Sequence, residues 1–142
     1  MKISTTKTNQ IKNFCHQNRI EFFIVFGSYA QGRARPSSDI DIAINVKNAF
    51  EKVDKLELIF RLGDIFDEAI DLVVLTPFTE PLLKYEIFFK STPVFINDWD
   101  YFVERKILAW KIYNDTQKFR DLRKQYVESY IRELKNESSY TD

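Results

Sequence analysis

The chain has 142 residues, with 21 Lys+Arg balanced by 21 Asp+Glu and a hydrophobic share of 44%. That length and composition describe one globular domain rather than a disordered chain, and the charge balance excludes a protein that binds nucleic acid mainly by neutralising phosphates. One cysteine, Cys15, and one histidine, His16, exclude an internal disulfide framework, a Cys-based zinc site and a multi-histidine metal site.

In chain order, Ile11, Phe14 and Cys15 recur at helical spacing within residues 5–18, with Ser4 or Thr5 as the cap. The N-terminal MKISTTKTNQ lacks the apolar core of a signal peptide, and no apolar run approaches a membrane span, so the expected location is the cytoplasm. The β-branched and aromatic run Ile20–Phe26 predicts a buried strand that stops at Gly27. Gly27, Gly32, Pro36, Ser37 and Ser38 mark a turn-rich segment. A second strand, Asp39–Ile44, follows with period-2 alternation. Phe50, Val53, Leu56, Ile59, Phe60, Gly63 and Phe66 predict a helix over 49–66, and Ile70–Leu75 a third strand. Residues 79–90 form a short helix, and Pro93–Ile96 an edge strand, where proline is tolerated. From Trp99 to Leu134 there is neither Gly nor Pro, which predicts one long helix or two with a break near Asn114-Asp115. The polar end, Glu137–Asp142, is expected to fray. The order gives an α/β (α+β) fold with helices packed on a sheet.

Chemistry concentrates in Gly27-Ser28, Asp39-Ile40-Asp41 and Asp71. Residues two apart on a strand share a face, so Asp39 and Asp41 stand side by side while Ile40, Ile42 and Ile44 turn to the core. Asp71 lies on the face opposite Ile70, Leu72 and Val74. If the two strands are neighbours, three carboxylates converge and cannot all stay ionised without compensation. An all-oxygen set suits Mg²⁺, which takes its other ligands from water and substrate phosphates. Two such ions can hold the attacking and leaving oxygens of a nucleotidyl transfer. Gly27 permits close backbone approach to phosphates, and the Ser28 hydroxyl can bond a phosphate oxygen.

The stretches FGSYAQGRARPSSDIDIAI and IDLVVL resemble the nucleotidyltransferase superfamily that includes DNA polymerase β, with its G-S-x10-D-x-D signature and a later third Asp. The resemblance covers roughly residues 20–96 and is similar in scale to the minimal nucleotidyltransferase (MNT) branch. It implies a polymerase β-like palm with a mixed sheet, flanking helices and a long C-terminal helix. It implies an ATP-dependent enzyme that transfers AMP to a tyrosine of a HEPN-type ribonuclease toxin, acting as its antitoxin. Gly27 and Ser28 would hold the triphosphate, Asp39 and Asp41 would ligate two Mg²⁺ ions, and Asp71 would ligate the catalytic ion and help deprotonate the acceptor. Arg33 and Arg35 are either pyrophosphate-neutralising groups or solvated loop charges.

The chain divides in expectation into a nucleotidyltransferase core, 1–98, and a helical extension, 99–142, that binds the toxin in a hetero-oligomer. Phe119, Leu122, Tyr126 and Tyr130 form one stripe on that extension. His16 is expected to be a surface or packing residue and Cys15 a small core residue. Two other readings stay open: an antibiotic-type enzyme that modifies small molecules, and a non-catalytic antitoxin that acts by occlusion.

Overall fold

A computed structural model describes residues 2–35, 37–47 and 53–139. Pro36 and Phe50 of the expected turn and helix lie outside the described residues, as do residues 140–142.

Helix α1 (Thr5–Gln17) begins at Ser4, whose hydroxyl accepts the Lys7 N–H at 3.2 Å. Strand β1 (Ile20–Phe26) runs into a four-residue helix, α2 (Gly27–Ala30). Strand β2 spans Ile40–Val46, so Asp39 stands immediately before the strand rather than within it. Helix α3 (Lys55–Phe66) opens on Asp54, which accepts the Glu57 N–H at 3.2 Å. Strand β3 (Ile70–Val74), helix α4 (Pro81–Phe89), strand β4 (Ser91–Ile96) and helix α5 (Trp99–Ser139) complete the order.

The strands form one mixed sheet in the order β3-β2-β1-β4. β1 pairs antiparallel with β2 and β4, while β2 and β3 run parallel through the α3 crossover. β4 is an edge strand, which accommodates Pro93. β1 lies inside the sheet and is buried on both faces. Phe23 and Val25 join Ile11, Phe14 and Cys15 of α1 and Leu58, Leu62 and Phe66 of α3 on one face. Phe22, Ile24 and Phe26 meet Ile87 and Phe88 of α4 and Phe102 and Ala109 of α5 on the other.

One further expectation changes. The buried stripe of α3 is Leu58-Leu62-Phe66, whereas Leu56 and Phe60 are 70% and 74% exposed. Spacings of three and four admit both stripes, and the sheet selects the one that faces it. The C-terminal segment is a single helix through Asn114-Asp115, both of which are exposed and break no packing. The helix is described as far as Ser139, and the rest of the expected frayed end, 140–142, lies outside the described residues.

The inner half of α5 packs on the core. Tyr113 stacks on Tyr85 of α4 with centroids 4.0 Å apart, and Tyr101 donates its hydroxyl to Asn45 at 3.2 Å. Arg120 caps this packed portion. Its guanidinium lies 4.0 Å from the Tyr113 ring centroid and donates to the Tyr113 carbonyl and the Thr116 hydroxyl, each at 2.6 Å. From Asp121 to Ser138 every residue is exposed. At 1.5 Å per residue the helix is roughly 60 Å long, so its outer part projects well past the sheet. No helix among the described residues is long and apolar enough to cross a membrane.

Candidate active site

Parallel pairing puts Asp41 directly beside Asp71, with Ile40 opposite Ile70 and Ile42 opposite Leu72. The flanking apolar residues Ile40, Ile42 and Leu72 point into the α1/α3 layer, so the two carboxylates leave on the other face. Across the second edge of β2, Asp41 pairs with Phe26, the last residue of β1. Gly27 therefore lands against the Asp41 side chain.

That contact is tight enough to dictate the residue. A Cβ at position 27 would collide with Asp41 Oδ2 and stand 3.0 Å from its Cγ. Gly27 also has φ +70°, which side-chain-bearing residues rarely adopt. Here the chain leaves the sheet and starts α2. The first N–H groups of a helix have no carbonyl partner within it, and Ser28 lies in that turn, half-buried.

Asp41 is half-buried, and Asp39 and Asp71 are exposed. Burial pushes the Asp41 carboxyl above its ordinary pKa. The negative charge of Asp71 adds to this, as do a hydrogen bond to Asp71 that only a protonated carboxyl can donate and the charge of Asp39. Asp41 thus senses both of its acidic neighbours, Asp71 across the parallel pairing and Asp39 two residues back. Among the described residues no group of three or more His, Cys, Asp or Glu side chains stands close enough to hold a metal ion by itself. The donor set fits Mg²⁺: all oxygen, collectively anionic and open on the side where phosphates would complete the shell.

Arg33 and Arg35 are exposed. The Arg33 N–H donates to the Ser28 carbonyl at 2.8 Å, which folds the loop back onto α2. Arg35 is tied to Ser38 by a pair of 2.9 Å bonds, its N–H to the Ser38 hydroxyl and the Ser38 N–H to its carbonyl. Arg33 is thereby held beside Ser28, and Arg35 at the approach to Asp39. His16 lies away from the site, exposed, with its ring edge-to-face against Phe95 at 5.3 Å. Cys15 is fully buried, and burial pushes its thiol up to about 12.

One participant escapes sequence reasoning. The Tyr29 hydroxyl donates to Glu68, which fastens α2 to the turn after α3. That bond, more than burial or the charges of Glu68 and Asp39, holds the phenol above its ordinary pKa. Tyr29 and Glu68 are far apart in the chain, so no local pattern marks the pair.

The sequence profile of the family described as Polymerase beta, Nucleotidyltransferase matches residues 9–100. A protein adenylyltransferase, MntA of Shewanella oneidensis, is 35% identical over 55 residues, which are 39% of this chain and 40% of that relative. The matched part thus spans less than half of that protein. In a crystal structure of a toxin–antitoxin with AMP-PNP, one chain superposes with a TM-score of 0.74 at 23% identity, covering 85% of this chain and 98% of that one. A chain from the tri-AMPylated Shewanella oneidensis HEPN toxin in complex with MNT antitoxin gives 0.71 at 20% identity, covering 89% and 99%. These likenesses establish a shared fold. With a family match that runs from α1 to the start of α5 and takes in all three carboxylates, the chain belongs to the polymerase beta nucleotidyltransferase family.

Proposed function

We propose that this protein transfers AMP from ATP to a tyrosine hydroxyl of a HEPN-type toxin and thereby neutralises it as an antitoxin in the cytoplasm. The observation that carries the reading is the Gly27–Asp41 contact. It presses the turn that would cradle a phosphate against Asp41, whose carboxyl senses Asp71 and Asp39. A protein that acted by occlusion alone would have no need of so costly a like-charge arrangement. The relatives supply the substrate class: an adenylyltransferase, and a neighbour whose toxin is AMPylated.

Ser28 and the N–H groups at the start of α2 bind and orient the triphosphate. Asp39 and Asp41 would hold two Mg²⁺ ions, and Asp71 one of them. When bound, Mg²⁺ stabilises the charge that develops on the phosphates and acidifies the acceptor hydroxyl. Asp71 takes the proton of the acceptor tyrosine as its oxygen bonds to the α-phosphorus. The bond from that phosphorus to the bridging oxygen breaks, and pyrophosphate leaves with the electron pair. Arg33 or Arg35 neutralises the departing charge. The outer half of α5 carries the partner-binding surface, in keeping with its exposed stripe: Phe119, Leu122, Tyr126 and Tyr130 are each more than half exposed.

The test is intact-mass spectrometry of a HEPN-type toxin incubated with the chain, ATP and Mg²⁺. The expected result is a gain of one AMP or a small multiple, lost with Asp41→Asn. A toxin that is silenced without any mass gain would establish occlusion instead.

A further inference from the structure

The sheet's second feature of chemical interest lies at its other end. Past Asn45 of β2 and Leu75 of β3, a cleft of about 650 Å³ opens between the sheet, α4 and α5. That is the size of pocket that takes a small organic ligand. It is roughly 13 Å along the strands from Asp41 and Asp71, at about 3.3 Å per residue. Ala43, which is fully buried beneath α4 and α5, separates the two on the same face.

Two cations from different helices meet in this cleft. Lys84 of α4 donates to the Pro77 carbonyl at 3.1 Å, and no carboxylate among the described residues forms an ion pair with it. Arg105 of α5 lies over the Tyr101 ring at 5.5 Å, with its Nε buried and lacking a hydrogen-bond partner. Its ion pair with exposed Glu104 is long, at 3.9 Å. The carboxylates that line the cleft are engaged elsewhere. Glu21 accepts from Asn97, and Asp98 accepts from the N–H groups of Asp100 and Tyr101 at the start of α5. Burial, and then the charge of Arg105, lower the pKa of the Lys84 ammonium. Like charges gathered together, and a buried donor left unpaired, destabilise a fold that gains nothing from them. An anionic head group would relieve both. Leu75, Phe88, Leu108 and Ile112 give the cleft an apolar side that suits a flat or hydrocarbon body, while Asn45, Lys47 and Thr76 keep its sheet side polar.

We propose that this cleft is a second binding site, separate from the carboxylate cluster, for a small organic anion whose phosphate or carboxylate head sits between Lys84 and Arg105. The proposal stands independently of the transfer reaction.

The test is calorimetric titration of the full chain with two probes, phenyl phosphate and benzoate, which separate the two head groups. One probe at least should bind saturably at one site per chain. Lys84→Met and Arg105→Gln should each weaken that binding tenfold or more, and excess AMP-PNP with Mg²⁺ should not displace it. Lys84→Met should leave Tm unchanged or raise it, because it relieves a repulsion. The proposal fails if neither probe saturates at millimolar concentration. It fails equally if binding survives both variants, or if AMP-PNP competes, which would make the cleft part of the nucleotide site. A Tm loss of several degrees in Lys84→Met would also overturn it, by showing that the lysine is a framework group.

Discussion

At the start of β2, Gly27 and Asp41 are pressed so closely that not one carbon can be added between them. On α5 beyond Arg120, every described residue through Ser138 is exposed. Both regions are surface, and both carry residues that the isolated fold does not need. They differ in what holds them. Asp41 and Asp71 sit on adjacent strands of a sheet packed on both faces, which holds them side by side and tolerates their repulsion. The outer helix is exposed along its described length and continues as one helix to Ser139. Position matters at the first region and composition at the second: chemistry requires fixed atoms, whereas an apolar stripe needs only to be presented.

The largest effects should follow from disturbing the fixed end. Asp41→Asn removes a ligand charge and should reduce incorporation of labelled AMP by about a thousandfold or more, with the chain still folded. Gly27→Ala should match that loss for a different reason. Its Cβ must displace the Asp41 carboxylate and adopt a left-handed φ, at a cost of about 2–4 kcal/mol in stability. Transfer retained in Asp41→Asn would remove the metal-dependent mechanism.

Next in size is the contrast between packed and projecting aromatics. Phe22, fully buried against Phe88 and Phe102, should lose about 3–5 kcal/mol on truncation to Ala. Phe119→Ala should change urea-unfolding stability by less than about 0.5 kcal/mol. A large loss at Phe119 would mean that the outer helix is packed after all.

Partner binding should show the reverse sensitivity. Truncation after Arg120 keeps the Tyr113–Arg120 contacts and deletes the exposed stripe. It should weaken the toxin complex tenfold or more in size-exclusion or calorimetric measurements, while ATP affinity stays within about twofold. Equal loss of ATP binding would place the outer helix in the nucleotide site.

What the sequence alone revealed divides along the same line. Gly27-Ser28 and Asp39-x-Asp41 are local patterns whose meaning follows from strand alternation, and Asp71 stands out as the one acid in an apolar run. The four strands follow from composition because β1 and β2 are buried and their residues have no polar alternative. Choices made by tertiary contact stayed hidden. The selection of Leu58-Leu62 over Leu56-Phe60 depends on where the sheet lies, and the Tyr29–Glu68 bond joins two remote turns. The Lys84–Arg105 pair needs α4 and α5 to be side by side. The unbroken course of α5 could not be told from a helix pair, since Asn and Asp on an exposed face weaken a helix without ending it.

The smallest predicted effect probes the electrostatics of the fixed end directly. Because its folded-state pKa is raised, Asp41 binds a proton more readily in the native chain than in the unfolded one. Its contribution to stability is therefore fully present below the ordinary carboxylate range and is lost as pH rises through the raised value. Asp41→Asn cannot ionise and lacks that loss. Melting curves of the two proteins, taken without Mg²⁺, should run together in acid and separate toward neutral pH, with the Asn variant the more stable. Asp41 is only partly buried, so solvent screening limits the separation to about 1 kcal/mol or less. Added salt should narrow the gap by screening Asp71 and Asp39. It should not close it, because burial is the largest cause of the shift and salt does not alter it. Mg²⁺ with AMP-PNP should reverse the order, raising the Tm of the wild type above that of the variant by preferential binding to the native state. Parallel curves across the whole range, or an Asn variant less stable at neutral pH, would mean that a favourable partner holds the Asp41 carboxylate. The crowded carboxylate cluster would then be ruled out as the source of the strain.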